Sequence, residues 1–97
     1  MTSLERLENW YESHCNGDWE HQYGIKIGTL DNPGWRITFD LTGTRSEDKI
    51  FDRVELERTK NDWLQCWVDN DKFNAACGPK NLSEVINIFF ELVDRSA

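Results

Sequence analysis

DWEHQYGIKIGTLDNPGWRITFDL, residues 18–41, is the stretch of sequence that decides the fold. A tight turn is predicted at residues 31–34, DNPG, which separate two halves of alternating sequence. A period of two gives a strand one buried face and one solvated face. The stretch therefore predicts a β-hairpin whose apolar face needs a covering layer. Its apolar positions are Trp19, Tyr23, Ile25 and Ile27 in the first arm and Trp35, Ile37, Phe39 and Leu41 in the second.

Two amphipathic helices near the ends of the chain can supply that layer. Residues 3–15 place apolar side chains along one stripe, and Ser3 is the predicted N-cap. Residues 82–95 carry a broader apolar stripe and follow Asn81, a second predicted N-cap. Both helices can lie across the same side of a sheet.

Three more strands are predicted between the hairpin and the last helix, at residues 49–58, 63–69 and 72–77. Asn70 and Asp71 form the predicted tight turn between the last two strands. The order helix, four or five antiparallel strands, helix predicts one α+β domain over residues 1–97. We expect a two-layer sandwich with both helices packed on one sheet face and the other face open to solvent.

The charge of the chain narrows the classes of partner. Its 97 residues include 18 acidic and 11 basic ones, which gives a formal net charge of -7. Phosphate repels such a surface, so we expect no nucleic-acid partner. An acidic surface suits a basic protein partner, because opposite fields speed encounter. The same charge also serves solubility alone, and both interpretations stay open at this point.

The cysteine count and the hydropathy pattern predict a cytoplasmic protein. Cys15, Cys66 and Cys77 are an odd set without regular spacing, which makes a poor disulfide framework. No CxxC pair is present, so we predict no structural zinc and no other cofactor. The charged start of the chain is unlike a signal peptide, and no apolar run approaches membrane length.

Cys15 and His21 are the residues that could carry an enzymatic reaction. A cysteine and a histidine in contact can act as nucleophile and base, or as half of a metal site. No Asp or Asn is clearly placed to orient the histidine, as catalysis requires. The alternative is a packing cluster where the first helix meets the first strand, and we favour that alternative.

Trp63 and Trp67 alternate with the apolar residues of the fourth predicted strand and therefore point away from the helices. Exposed indole rings in acidic surroundings are typical of a protein-binding hot spot. A second interpretation is that these rings fill gaps left on the outer sheet face by Gly24 and Gly28. A third places Trp67 in a homodimer interface, so the expected state is a monomer or a weak homodimer.

Several motifs of the chain resemble the immunity protein 53 family of bacterial polymorphic toxin systems. The longest is NWYESHCNGDWEHQYGIKIGTLDNPGW at residues 9–35, and the resemblance continues almost to the end of the chain. The later motifs are DLTGT at residues 40–44, DW at residues 62–63 and CGPKNLSEV at residues 77–85.

The resemblance implies an antitoxin role without enzymatic activity. Family members are taken to neutralise a cognate toxin by direct binding, and the family supplies no catalytic residues. Many toxins of these systems are nucleases with basic substrate sites, so the implied partner is a basic toxin domain. Combined with the outward phase of the third and fourth strands, this gives a hypothetical toxin-binding surface. Its residues are Glu55, Glu57, Trp63, Trp67, Asp69 and Asp71.

Overall fold

Helices at both ends of the chain enclose a series of five strands. The computed structural model describes residues 1–95 of the chain. Within that range, no helix has the length and apolar character needed to cross a membrane. The elements in order are α1 (Ser3–His14), α2 (Trp19–Gln22), β1 (Ile25–Leu30), β2 (Gly34–Asp40), β3 (Val54–Thr59), β4 (Asp62–Asp69), β5 (Lys72–Cys77) and α3 (Leu82–Arg95).

The five strands form one antiparallel sheet in the order β1-β2-β5-β4-β3. β5 therefore inserts between the first hairpin and the second. Ile37 on β2 faces Ala75 on β5, which faces Cys66 on β4. These three side chains are at most 1% exposed, so this row lies in the middle of the core. The predicted α+β architecture is confirmed.

Aromatic rings join the helix layer to the sheet. The ring of Phe39 on β2 stacks on Phe89 of α3, with centroids 3.8 Å apart and an interplanar angle of 5°. Trp10 of α1 meets both rings edge-on at 5.4 Å. Edge-to-face aromatic pairs each add about 0.5–1.5 kcal/mol beyond the burial of their area. One aromatic cluster thus fixes both long helices on the same sheet face.

The start of the first hairpin arm differs from the prediction, because residues 19–22 form α2 and not a strand. Local hydrogen bonds explain the difference. The carboxylate of Glu20 accepts from the N–H groups of Asn16 and Gly17 at 2.9 and 2.8 Å. Trp19 is buried, and its indole N–H donates to the carbonyl of Thr42 at 2.8 Å. These local hydrogen bonds favour one turn of helix over the strand that the alternating pattern predicts.

Two predicted boundaries also change. The third strand begins at Val54, five residues later than expected, and Ile50 is 90% exposed. The N-cap of α1 is Thr2 and not Ser3. The hydroxyl of Thr2 accepts from the N–H of Glu5 at 3.1 Å, and the Glu5 carboxylate accepts from the N–H of Thr2 at 3.0 Å. These paired bonds form a capping box.

The tight turn predicted at Asn70 and Asp71 is present between β4 and β5. Asn70 and Asp71 both have positive φ, at 52° and 58°. This is the conformation of a type I′ turn, whose twist suits a tight hairpin.

Candidate functional site

The sheet face turned away from α1 and α3 is here called the outer face. Its side chains alternate along each strand with the buried core residues. Five of the six residues predicted to bind a toxin lie on this face. Its members include Lys26, Gly28, Arg36, Thr38, Asp40, Lys72, Asn74, Ala76, Trp63, Gln65, Trp67, Asp69, Glu55 and Glu57.

A cleft of about 750 Å³ opens at one end of the outer face, between the β1–β2 turn and the β3–β4 hairpin. Glu55, Glu57 and Trp63 are among the residues that line it. Both carboxylates are exposed, and the indole ring is half-buried. The structure therefore brings three of the predicted residues together around one concave surface. Asn32 and Lys60 contribute to its walls.

Trp67 lies on the same face, and the guanidinium of Arg53 lies over its ring. The guanidinium carbon of Arg53 is 5.0 Å from the centroid of the Trp67 ring, which is a cation–π contact. Arg53 also donates to Gln65 at 3.0 Å and forms an ion pair with Glu55. The ring is half-buried.

The gaps beside Gly24 and Gly28 remain open. A Cβ added to either glycine would have no other atom within 4 Å, so no indole ring fills these spaces. The interpretation in which Trp63 or Trp67 packs into them is therefore wrong. Both rings are left on the surface of the outer face, where a partner can reach them.

The charges of the outer face divide it into two halves. Glu55, Glu57 and Asp69 lie on β3 and β4, whereas Lys26 and Arg36 lie on β1 and β2. All five side chains are exposed. Among residues 1–95, Glu57 and Asp69 take part in no ion pair. Glu57 therefore presents a carboxylate outside any ion pair of the described residues, whereas Asp69 lies opposite Lys72 of β5, whose ammonium forms an ion pair with Asp40.

Asp71 lies at the opposite end of β4 from the cleft and is bound to a loop of its own chain. Its carboxylate accepts from the hydroxyl of Thr42 at 2.7 Å and from the N–H of Asp48 at 2.9 Å. Its carbonyl accepts from the N–H of Leu41 at 2.9 Å. These bonds hold the connection between β2 and β3 in place.

The sequence was compared with models of known protein families. The model of the family described as Immunity protein 53 matches residues 4–94, nearly the whole chain. The chain belongs to the immunity protein 53 family. The resemblance seen in the sequence motifs is thus confirmed, and the protein is an immunity protein. The comparisons with curated proteins and with solved structures gave no match.

Cys15 and His21, the predicted candidates for an enzymatic reaction, lie in different surroundings. The thiol donates to the carbonyl of Tyr11 at 3.3 Å, while His21 is exposed on α2. The described contacts include no hydrogen bond between Cys15 and His21. His14 is the histidine that packs in this region, with its ring 4.5 Å from Trp10. No three potential metal ligands form a group within the described residues.

The two buried thiols of this immunity protein are poor nucleophiles. Burial raises the pKa of Cys66 to about 12 and the pKa of Cys77 to about 11. The thiolate is the reactive form of cysteine, so neither group is activated near neutral pH. Both side chains belong to the core of the sheet.

Arg53 and Gln65 were not predicted from the sequence as members of the site. The register of the β3–β4 hairpin would have identified Arg53, since Val54 faces Cys66 and the next position places Arg53 opposite Trp67. Asn32 could not be predicted as a cleft residue, because its position beside the β3–β4 hairpin depends on β5 inserting between the two hairpins. The alternating pattern assigns residues to a face but does not give the strand order.

Proposed function

We propose that this immunity protein neutralises a basic, nuclease-type toxin domain by binding it with the β3–β4 half of the outer face. The binding surface consists of Glu55, Glu57, Trp63, Trp67 and Asp69, with Arg53 as the residue that positions Trp67. The observation that carries the proposal is the cleft of about 750 Å³ lined by Glu55, Glu57 and Trp63 on a face that neither long helix covers.

Charge supports a basic partner. Glu57 and Asp69 are exposed carboxylates outside the ion pairs of the described chain, and the protein carries a net charge of -7. Opposite charge on a toxin would raise the association rate and orient the encounter. A nuclease domain has a basic surface for its own phosphate substrate, so the same surface can be occupied by these carboxylates.

The two indole rings supply the apolar anchors of the proposed surface. Trp is enriched among residues that dominate binding energy, above all where the ring is held rigidly. The Arg53 guanidinium, 5.0 Å from the Trp67 ring, limits the freedom of this side chain before any partner arrives. Trp63 lies at the cleft wall, where a toxin side chain can pack against it.

The site of action in this proposal is the cytoplasm of the toxin-producing bacterium and its kin. Cys15, Cys66 and Cys77 are all free thiols, as expected in a reducing compartment. Asp71 stays at the margin of the proposed surface, because its carboxylate is used by the loop contacts of Thr42 and Asp48.

Charge reversal tests this proposal, with the adjacent toxin gene supplying the partner. We expect the double variant Glu55→Lys, Glu57→Lys to slow association with the toxin domain by roughly tenfold or more at low salt. The salt dependence of the association rate should also become weaker. Stopped-flow fluorescence across a salt series measures both quantities.

The matched control is the double variant Glu8→Lys, Glu91→Lys, which makes the same change in net charge with two exposed carboxylates on α1 and α3, on the other side of the sheet. Its association rate at about 0.15 M salt should stay within about twofold of the wild-type rate, because the Debye length there is about 8 Å and screens charges on the far side of the sheet. Equal slowing by the control and by the Glu55, Glu57 variant would show that net charge acts without a defined surface. An unchanged rate in the double variant would remove the acidic half of the outer face from the proposal.

A further inference from the structure

The guanidinium of Arg53 shows how the outer face holds a cation. Its carbon lies 5.0 Å from the centroid of the Trp67 ring. One of its nitrogens donates to the side-chain carbonyl of Gln65 at 3.0 Å, and another forms an ion pair with the carboxylate of Glu55. An indole ring, an amide oxygen and a carboxylate, all from β3 and β4, therefore bind this guanidinium together.

The same kinds of side chain recur at the cleft end of the β3–β4 hairpin. Trp67, Gln65 and Trp63 occupy alternate positions on the outer face of β4, and Glu57 of β3 lies directly opposite Trp63. Trp63, Glu57 and Gln65 all line the cleft of about 750 Å³. Within residues 1–95, the cation–π contacts involve Phe90 and Trp67 and leave the Trp63 ring without a stacked guanidinium. The cleft thus repeats the surroundings of Arg53 but lacks an arginine of its own.

The carboxylate of Glu57 is available to a cation from outside. It is exposed and takes part in no ion pair of the described chain, whereas Glu55 is already paired with Arg53. Asn32 and Asn61 also line the cleft, and each carries a side-chain carbonyl that can accept a hydrogen bond. Lys60 is exposed in the same lining, so its ammonium weakens the attraction for a second cation without cancelling it.

We infer that the cleft binds an arginine side chain of the partner, with its guanidinium on the Trp63 ring and against the Glu57 carboxylate. A guanidinium is favoured over an ammonium because it is planar, stacks on aromatic faces and is more weakly hydrated. It can also donate to a carboxylate and an amide oxygen at once, as Arg53 does. The inference rests on the proposed function for the source of the arginine, which is the toxin domain.

Capped amino acids test the binding chemistry of the cleft on the full-length protein without any toxin. The probes are arginine, lysine and citrulline with blocked amino and carboxyl ends, and citrulline has the planar shape of arginine but no charge. We expect arginine to cause saturable NMR shifts of the Trp63 indole N–H, and lysine and citrulline to bind at least roughly threefold more weakly. The Trp67 indole N–H should shift much less, because Arg53 already lies over its ring.

Matched variants locate the site. Glu57→Gln keeps the shape of the side chain but removes its charge, and should weaken arginine binding roughly fivefold or more. Asp69→Asn is the control, because it removes an exposed carboxylate from the same face outside the cleft lining. The control should bind arginine within about twofold of wild type. Lys60→Gln should strengthen binding, since it removes a like charge from the cleft.

The variant Arg53→Ala supplies a positive control with the same chemistry. It leaves the Trp67 ring, Glu55 and Gln65 in place but removes the guanidinium that they bind in the wild type. The arginine probe should then shift the Trp67 indole N–H as well as that of Trp63. Citrulline at the same concentration should leave both signals near their starting positions.

Three results would overturn the inference. The first is the absence of a saturable Trp63 shift with arginine in the wild-type protein, whatever occurs at Trp67 in Arg53→Ala. The second is equal binding of lysine or citrulline, which would exclude a preference for a guanidinium. The third is equal weakening by Glu57→Gln and Asp69→Asn, which would assign the effect to the charge of the whole face.

The toxin experiment separates this inference from the proposed function. Unchanged toxin association in the Glu55, Glu57 variant, together with arginine binding at Trp63, would remove the toxin as the source of the arginine and leave the cleft as an arginine site. Slower toxin association in that variant, without arginine binding at Trp63, would support the proposed surface and overturn only its assignment to an arginine side chain.

Discussion

Gly34 is required at the point where β2 meets β5. A Cβ at this position would lie 2.3 Å from the carbonyl oxygen of Cys77, far closer than a real contact. Gly34→Ala must therefore push β2 away from β5 at the base of the cleft. We expect a loss of about 2 kcal/mol in the free energy of unfolding, as is typical when a well-packed site is overfilled.

Gly28→Ala is the matched control for that substitution. Gly28 is also a strand glycine, but a Cβ there meets nothing within 4 Å. This variant should be within about 0.5 kcal/mol of wild type or slightly more stable, because alanine lowers the entropy of the unfolded chain. Urea titration of both variants measures the difference. A Gly34→Ala protein as stable as Gly28→Ala would show that the β2–β5 contact is loose.

Among the structural elements, the β3–β4 hairpin is tied to the start of α3 by one arginine. Arg58 donates to Asp62 at 2.8 Å and to Glu84 at 3.1 Å. These hydrogen bonds lower the pKa values of both carboxyl groups below their ordinary values of 3.8 and 4.5. A carboxyl whose pKa is lower in the folded state stabilises the fold above its unfolded pKa. That stabilisation is lost as the pH falls through the folded pKa.

Arg58→Gln should therefore lower the urea midpoint near pH 7, and its difference from wild type should shrink as the pH falls below about 4. The variant leaves Asp62 and Glu84 as close like charges, which protonation relieves. Lys80→Gln removes an exposed cation just before α3 and serves as the control, with no such pH dependence expected. If the urea midpoints of the wild type and Arg58→Gln differ by the same amount at neutral and at acid pH, this account is contradicted.

Element types were largely predictable from the sequence, whereas their ends and order were not. Five strands follow the alternating pattern, at Ile25–Leu30, Gly34–Asp40, Val54–Thr59, Asp62–Asp69 and Lys72–Cys77. Residues 49 and 50 also alternate but remain outside β3. Extending the register that pairs Val54 with Cys66 would place Ile50 opposite Asn70, beyond the end of β4. The same register places residues 51–53 opposite residues 67–69 of β4, yet they too lie outside β3, so the end of β4 accounts only for residues 49 and 50.

The candidate site was predictable to a similar extent. Alternation placed Glu55, Glu57 and Trp63 on one face, and the structure groups them around a cleft. The partners that shape the surface, such as Arg53 over Trp67, come from tertiary pairing. The sequence also could not show that Lys26 and Arg36 lie on the same face as the acidic residues, because this depends on the order of all five strands.

At the scale of the whole molecule, the outer face carries an electrostatic gradient from basic β1–β2 to acidic β3–β4. A basic toxin approaching the acidic half must also pass the field of Lys26 and Arg36, which are exposed on the same face. The double variant Lys26→Glu, Arg36→Glu removes that repulsion. Each reversal changes the charge by two, so the formal net charge goes from -7 to -11. We expect association with the toxin domain to become roughly severalfold faster at low salt.

The control for this last prediction has the same net charge in a different place. Arg45→Glu, Lys80→Glu reverses two exposed cations that lie outside the outer face, and it should accelerate association less. Stopped-flow rates at low and high salt compare the two double variants, and the difference between them should disappear as salt screens the field. Slower association of the Lys26, Arg36 variant would mean that the basic half meets an acidic patch of the toxin. The whole face, with both signs of charge, would then be the recognition surface, because complementary patches of both signs fix one orientation of the partner.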